Sequence, residues 1–496
     1  MNNKLFQSNT YQAMWVGLGS IASFAFSIIS AAVLSRFLSK SEYGTYKQVM
    51  YVYNTLLVVF TLGLPKAYAY FLPRFDIKYG NGIVNKINVI FFLIGLIFTL
   101  LLYFGAPTIA TILQNPDLVS SMRLFAITPV FILPTMGIEG IMSTYKKNYI
   151  NAIYTIITRI LMLLLVALPA VLYRADCNTA IVGFSISSII TCVIGLIVKK
   201  IPYRGIESVK AQLSYSEIFR FSLPLMLASL GGIAIKSADQ FFVSRYFGSE
   251  VFADFANGST DLPFVGMILS AAATVLLPEF SRSLASNKDS YNDIIDLWRR
   301  TAVKSALILY PLIVFCMFFS SDIMVCLYGN LYAASAVYFF IILIVDLFTI
   351  APYYPIIIAL GATKYYANVH LCLALTVWVL EFVVVLFFSS ALAIAITSAV
   401  MQIIKVIVMT KFIANKLNVR IVDIFPIREL LTIISSNVLC GIVVFILFTR
   451  IIQINNLFIS LMLSFVTYVL MLFFTEQIFK LNYLAVVQPF FHKIKR

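Results

Sequence analysis

The sequence predicts an all-α polytopic membrane protein with about fourteen transmembrane helices, and three observations carry that expectation. Of its 496 residues, 61% are hydrophobic and only 11% are charged, against about 25% charged in soluble domains. Apolar runs of 20 or more residues recur along the chain, each long enough to cross about 30 Å of hydrocarbon. Lys and Arg gather in alternate connections and are sparse in the others, the charge bias of a multi-pass membrane protein.

The first six spans fall near 12–37, 43–72, 86–105, 119–145, 150–173 and 179–198. Six more follow near 217–247, 251–281, 301–327, 332–360, 365–388 and 391–414, and two last ones near 428–450 and 455–479. No small-residue cleavage pattern follows the first span, which reads as a retained first helix. Pro65, Pro129, Pro134, Pro224, Pro263, Pro352 and Pro355 lie within these spans, where each removes a backbone donor and kinks a helix.

With a cytoplasmic N-terminus, 25 of the 36 Lys and Arg fall on the inner side. They run from Lys4 through Arg74, Lys146, Lys199, Lys200, Lys210, Lys288, Lys364 and Arg428 to Lys480, Lys493, Lys495 and Arg496. Seven fall outside: Arg36, Lys40, Lys47, Arg123, Arg174, Arg245 and Arg450. The net charge of +15 thus follows the inner connections, which points to a membrane surface and away from nucleic acid. Six scattered cysteines with no CxxC spacing read as small apolar fillers. His370 and His492 form no metal constellation, and no P-loop, HExxH or large soluble loop offers an enzyme site.

An internal repeat sets the organisation. Ser35-Arg36-Phe37, Glu42, Tyr46 and Leu72-Pro73-Arg74-Phe75 return as Ser244-Arg245-Tyr246, Glu250, Phe255 and Leu277-Pro278-Glu279-Phe280. The offset is 209 residues at the start and 205 at the end. Two six-helix lobes, 1–200 and 217–415, are expected, with the substrate between them. Two added helices occupy 428–479, and a cytoplasmic tail occupies 480–496.

Four cations remain inside spans: Lys66, Arg159, Lys236 and Lys405. Each would cost about 3 kcal/mol facing lipid, so each belongs with a counter-charge, a hydrated cavity or an interface. Lys236 and Asp239 are three apart on one helical face, in the stretch from Ile218 to Phe247, amid small residues such as Gly231, Gly232 and Ala234. They read either as a packing ion pair or as part of a charged pathway. Lys405 has Glu381 on the preceding helix as a candidate partner. Among intramembrane acids Asp239, Asp346 and Glu381 are candidates for a coupling proton or sodium ion, whereas Glu139, Asp254 and Asp261 sit near span ends. Tyr43, Tyr46, Tyr51, Tyr53, Tyr353, Tyr354, Tyr365 and Tyr366 read as interfacial belts or as platforms for sugar rings.

The fourteen spans, the two-part repeat, Asp239 ahead of Ser244-Arg245-Tyr246-Phe247-Gly248, and the Glu250–Phe255 re-entry resemble the polysaccharide transporters of the MOP exporter superfamily, the Wzx-type flippases. The resemblance implies a V-shaped pair of lobes around a cationic cavity. It also implies flipping of undecaprenyl-diphosphate-linked oligosaccharide across the bacterial cytoplasmic membrane for O-antigen, capsule or exopolysaccharide. No enzymatic activity is implied, no cofactor beyond a coupling proton or sodium ion, and polysaccharide polymerase machinery as a partner. In that setting Lys236, Asp239, Arg159, Lys66 and Lys405 would line the cationic cavity. The related lipid II flippases carry an Arg-Asp pair in the first helix; here that helix has no charge before Arg36, so the pair does not transfer. A cation-coupled antiporter of the MATE kind, from the same superfamily, is the alternative.

The topology is checked by cysteine accessibility. Both termini and the 283–299 connection should label from the cytoplasm; cytoplasmic labelling at Asp117 or Asp322 would contradict the fourteen-span reading.

Overall fold

A computed structural model describes residues 9–173, 176–209, 213–286, 291–479 and 481–483. Lys4, Arg174, Lys210, Lys288, Lys480, His492, Lys493, Lys495 and Arg496, with most of the 480–496 tail, lie outside the described residues. The chain packs as two units, Met1–Ala253 and Asp254–Arg496.

In the first unit α1 (Asn9–Phe37) packs along α8 (Asn148–Tyr173), and α8 along α9 (Cys177–Lys200). A capping box starts α2 (Lys40–Phe60): the Glu42 amide donates to Ser39 Oγ, and the Ser39 amide donates to the Glu42 carboxylate. Two orphan donors are satisfied reciprocally by that arrangement. The second span then breaks. Leu62 and Gly63 both take positive φ, 48° and 69°, and Pro65 opens the short α3 (Pro65–Phe71). α4 (Ile77–Ile112) is long and unbroken.

The fourth span, expected as one helix over 119–145, is instead a chain of pieces: α5 (Leu118–Phe125), α6 (Thr128–Ile132), a 3₁₀ turn at Leu133–Thr135 and α7 (Ile138–Thr144). Pro129, Pro134 and the left-handed Gly137 (φ 80°) cut the hydrogen-bond ladder. Half of this span's apolar window is buried, the setting in which irregular backbone survives at membrane depth. α10 (Tyr215–Gly258) turns sharply at Gly248, where φ is 80° and ψ 173°.

α10 is fastened to α2 by a buried polar chain. Gln48 Nε2 donates to Ser244 Oγ at 2.8 Å, and Asn115 Nδ2 donates to Gln48 Oε1 at 2.6 Å and to Thr45 Oγ1 at 3.0 Å. Tyr51 OH donates to the Ser237 carbonyl at 3.2 Å. Gly44 lets the backbones touch: a Cβ there would stand 2.0 Å from the Ser249 carbonyl oxygen.

The second unit holds α11 (Pro263–Ser286), α12 (Tyr291–Phe318), α13 (Ser320–Tyr328), α14 (Ser335–Phe348), α15 (Tyr354–Ala359), α16 (Thr363–Phe387) and α17 (Ala391–Lys416). The short α18 (Ile421–Ile424), then α19 (Ile427–Ile446) and α20 (Leu457–Phe479), complete it. Trp298 and Phe280 centre one core. Phe315 of α12 and Phe319, just past its end, centre another with Val444 and Tyr468 of the last two spans. There the buried Asn437 side chain is fully engaged: its Nδ2 donates to the Ile433 carbonyl at 2.7 Å and to Tyr483 OH at 3.2 Å, and its Oδ1 accepts from Tyr468 OH at 2.8 Å.

Each of the fourteen expected spans has a helical counterpart. Among the described residues thirteen are long and apolar enough to cross a membrane. The tenth, expected over 332–360, is cut to the 14 residues of Ser335–Phe348, about 21 Å. The segment carrying Pro352 separates it from α15, since a proline lacks the amide donor that would continue a helix and pushes the residue before it out of the helical region. Most of these seven prolines therefore act at breaks. Pro65, Pro129 and Pro355 sit in the opening turns of their helices, Pro263 starts α11, and only Pro224 of the seven lies inside a continuous helix.

Gly44→Ala should force α2 away from the Ser249 backbone, costing about 1–3 kcal/mol. Gly17→Ala, with nothing within 4 Å of the added methyl, should be neutral or mildly stabilising. Thermal unfolding in detergent compares the two; equal melting temperatures would contradict the close approach.

Candidate functional site

The first unit encloses a cavity of about 600 Å³, within the range of small-molecule sites. One face of α2 supplies Tyr46, Lys47, Met50, Tyr53 and Asn54, and one face of α8 supplies Tyr154, Thr155, Thr158, Arg159 and Met162. These are i, i+3, i+4 and i+7 positions, the stripe that a helix presents to one side. Ser27 and Ser30 of α1, Thr135 and Met136 of the broken fourth span, and Phe184 and Thr191 of α9 complete the wall. The break at Pro134 thus places irregular backbone, and not a continuous helix, along this cavity.

Two cations face it. Lys47 Nζ stands 5.3 Å from the Tyr43 ring centroid. Arg159 Nη1 lies 3.7 Å from Met162 Sδ. Neither forms an ion pair among the described residues, and no Asp or Glu lines the cavity there. Two unneutralised cations beside serine and threonine hydroxyls, an asparagine amide and tyrosine rings suit an anion carrying polar, ring-shaped groups. Lysine offers a point charge to a phosphate and arginine a fork.

Of the charged residues expected from the sequence, the structure brings only Arg159 into this cavity. Lys66 is exposed in the first turn of α3. Lys236 is exposed on α10, while Asp239 is half-buried, with its Oδ1 accepting from the Gln240 amide at 3.1 Å. In the second unit Glu381 is fully buried, and Lys405 and Asp346 are half-buried. Asp254, expected near solvent, is buried there and accepts from Ser335 Oγ at 3.3 Å. Among the described residues no cluster of His, Cys, Asp and Glu is arranged to hold a metal.

The tyrosine belt reading fails for helix two. Tyr43, Tyr46, Tyr51 and Tyr53 are all less than a tenth exposed, and two of them face the cavity. Tyr53 also packs edge-on against Phe125, with centroids 5.0 Å apart. Tyr365, by contrast, stacks on Phe412 at 3.8 Å in the second unit.

Two cations escape a simple reading of the sequence. Lys47 counts there as an outer flank, yet the Ser39/Glu42 capping box fixes where its helix starts. Eight residues on, at 1.5 Å each, Lys47 is about 12 Å into the helix; that signal was available. Lys199 counts with Lys200 as an inner flank, but it is wholly buried while Lys200 is exposed. Its ammonium donates to Tyr68 OH at 3.0 Å and to Asn88 Oδ1 at 2.9 Å, 4.5 Å from the Tyr68 ring centroid. Nothing in a Lys-Lys pair tells which of the two turns inward.

The fold has known counterparts. The chain is similar to a lipid II flippase, MurJ, in an inward closed conformation, at 14% identity and a TM-score of 0.67, covering 98% of this chain and 100% of that one. It is also similar to a multidrug resistance MATE family transporter of the MOP superfamily, at 11% identity and a TM-score of 0.59, covering 80% and 98%. A further match is a MOP superfamily transporter from Pyrococcus furiosus, described by a binding pocket of reverse polarity, at 12% identity and a TM-score of 0.56, covering 82% and 94%. No curated protein sequence matches the chain. A family described as polysaccharide biosynthesis protein matches residues 11–284. That match takes in more than half of the chain, including both walls of the cavity, and the chain therefore belongs to the polysaccharide biosynthesis protein family, on the fold of the MOP superfamily transporters.

Proposed function

We propose that this protein is a flippase for undecaprenyl-diphosphate-linked oligosaccharide, serving O-antigen, capsule or exopolysaccharide assembly at a bacterial cytoplasmic membrane with both termini in the cytoplasm. The observation that carries the reading is the pair Lys47 and Arg159 on the wall of a cavity without Asp or Glu. A diphosphate entering a desolvated path needs cations, and two charges held in place attract it at little reorganisation. Tyr46, Tyr53 and Tyr154 offer rings against which sugars stack. Membership in the polysaccharide biosynthesis family and likeness to a lipid II flippase support this direction.

Energetically, an inside-negative potential of about 100 mV favours outward movement of anions by about 2.3 kcal/mol per charge. A coupling proton or sodium ion at Asp239, Asp346 or Glu381 would add to that. Lys236, Lys66 and Lys405 join the pathway in this reading, and polymerase machinery takes up the flipped product. A MATE-like antiporter of cationic compounds needs carboxylates in its pocket; this cavity presents the opposite charge.

In proteoliposomes loaded with lipid-linked oligosaccharide, Lys47→Gln and Arg159→Gln should each lower flipping at least tenfold, with normal amounts of folded protein. Lys47→Arg should keep part of the activity, because the charge survives in a different shape. Full activity in both neutral variants would sink the cavity assignment.

The Lys236/Asp239 stretch is tested by a double change. If Lys236 meets the diphosphate, Lys236→Ala abolishes flipping and Lys236→Ala/Asp239→Asn stays inactive. A packing ion pair predicts the reverse: each single change harms folding, and the double variant recovers, since no uncompensated charge is left.

A further inference from the structure

The second unit has a cleft of about 360 Å³ of a different character. Its walls come from α12, the end of α14, α17, the linker carrying α18, and α19; Phe348, Ile407, Ile421, Phe425, Ile427 and Leu431 are among them. The two polar side chains within reach are already engaged. Thr410 Oγ1 donates to the Val406 carbonyl at 2.8 Å, and Tyr310 OH donates to the Leu347 carbonyl at 3.2 Å. The cleft therefore offers an occupant nothing but hydrocarbon. Several wall residues are open: Phe348 at the end of α14 is 49% exposed, and Ile407 and Leu431 on the long helices α17 and α19 are 51% and 59% exposed.

The segment that supplies Ile421, Phe425 and Ile427 to the wall is flanked by cations. Arg420 precedes Ile421, Arg428 follows Ile427, and Lys411 follows Thr410. All three are exposed. Arg420 grips Asp423, three residues on, through two hydrogen bonds, Nε at 2.9 Å and Nη2 at 3.1 Å. The Arg420 guanidinium holds the Asp423 carboxyl below its usual range, and Arg299 adds to the same field. Asp423 and Glu429 are the acids of this segment and its flank, against Arg420, Arg428 and the preceding Lys411, with Arg299 close enough to act on Asp423. An apolar slot ending at a net positive rim has the charge pattern of one kind of molecule, a hydrocarbon chain ending in an anionic group.

We propose that this cleft binds an acyl chain of an acidic membrane phospholipid, with its phosphate held by Arg420 and Arg428. The lipid would be a resident ligand that bridges α12, α17 and α19 and stabilises the second unit. This proposal does not rest on the cargo assigned above, because every residue it uses lies in Asp254–Arg496 and none lines the cavity of Lys47 and Arg159.

The test uses the purified full chain in neutral detergent, titrated with dioleoyl phosphatidylglycerol or dioleoyl phosphatidylcholine, and followed by thermal unfolding and by native mass spectrometry of retained lipid. Phosphatidylglycerol should raise the melting temperature and be retained; phosphatidylcholine should do neither. Arg420→Gln/Arg428→Gln should weaken phosphatidylglycerol binding about 25-fold, at about fivefold per cation near an anionic lipid. The lipid-free melting temperature should stay unchanged, since an exposed ion pair contributes little. Asp423→Asn should tighten binding. Leu431→Trp, which fills the slot but keeps the rim, should also abolish the shift. Equal shifts with phosphatidylcholine, a full shift in the double variant, or the same shift from glycerol phosphate alone would each overturn the proposal. Displacement of phosphatidylglycerol by equimolar undecaprenyl phosphate would overturn it too, by assigning the cleft to cargo.

Discussion

Hydrocarbon cannot solvate a polar group, and most of what is distinctive in this chain follows from that one fact. Gln48 is fully buried, and its amide is fully used, by Ser244 on one side and Asn115 on the other. Asn437 in the second unit meets the same requirement through Ile433, Tyr468 and Tyr483. The break in the fourth span lies in protein: Gly137, which precedes α7, has its Cα face against the Tyr68 ring. The two cavity cations, Lys47 and Arg159, stand apart from this pattern, since no Asp or Glu lines the cavity beside them.

Much of this was legible in the sequence, and the failures have a common cause. Helix number and order came from long apolar runs, which need no tertiary information. The positions of the breaks did not, because a proline states that a ladder bond is missing without stating whether the helix bends or stops. Pro224 is crossed by a continuous helix, whereas Pro134 and Pro352 fall where helices end. Burial of individual side chains was least legible. Tyr46 and Tyr53 look like interfacial tyrosines in sequence but turn inward, since the face that a helix buries depends on neighbours not adjacent in the chain. Arg159 was identifiable as a charge in the middle of an apolar run. Lys47 lay too close to a helix start to be noticed, although the capping box marks its depth.

The repeat gains physical content at its first turn. Ser39 opens α2 with an extended backbone and a reciprocal cap from Glu42. At the corresponding place, 209 residues on, Gly248 turns α10 with a left-handed φ and an extended ψ. One turn is held by side chains, the other by the freedom of a residue without Cβ. Both ends meet in the first unit, where Ser41 Oγ and Ser249 Oγ lie 3.1 Å apart.

The fastening of α10 to α2 also bears on how the protein is made. Gln48 belongs to the second span to leave the ribosome, while its partner Ser244 belongs to the seventh. Nearly two hundred residues of chain must be synthesised and inserted before that amide finds its hydroxyl. At the pace of translation, on the order of 5–20 residues per second, the delay is tens of seconds. Through that interval the nascent first six spans carry an unfinished polar seam in the bilayer, which is the state that an insertase or membrane chaperone would meet. The polar seam of this unit therefore closes only once the seventh span has been made.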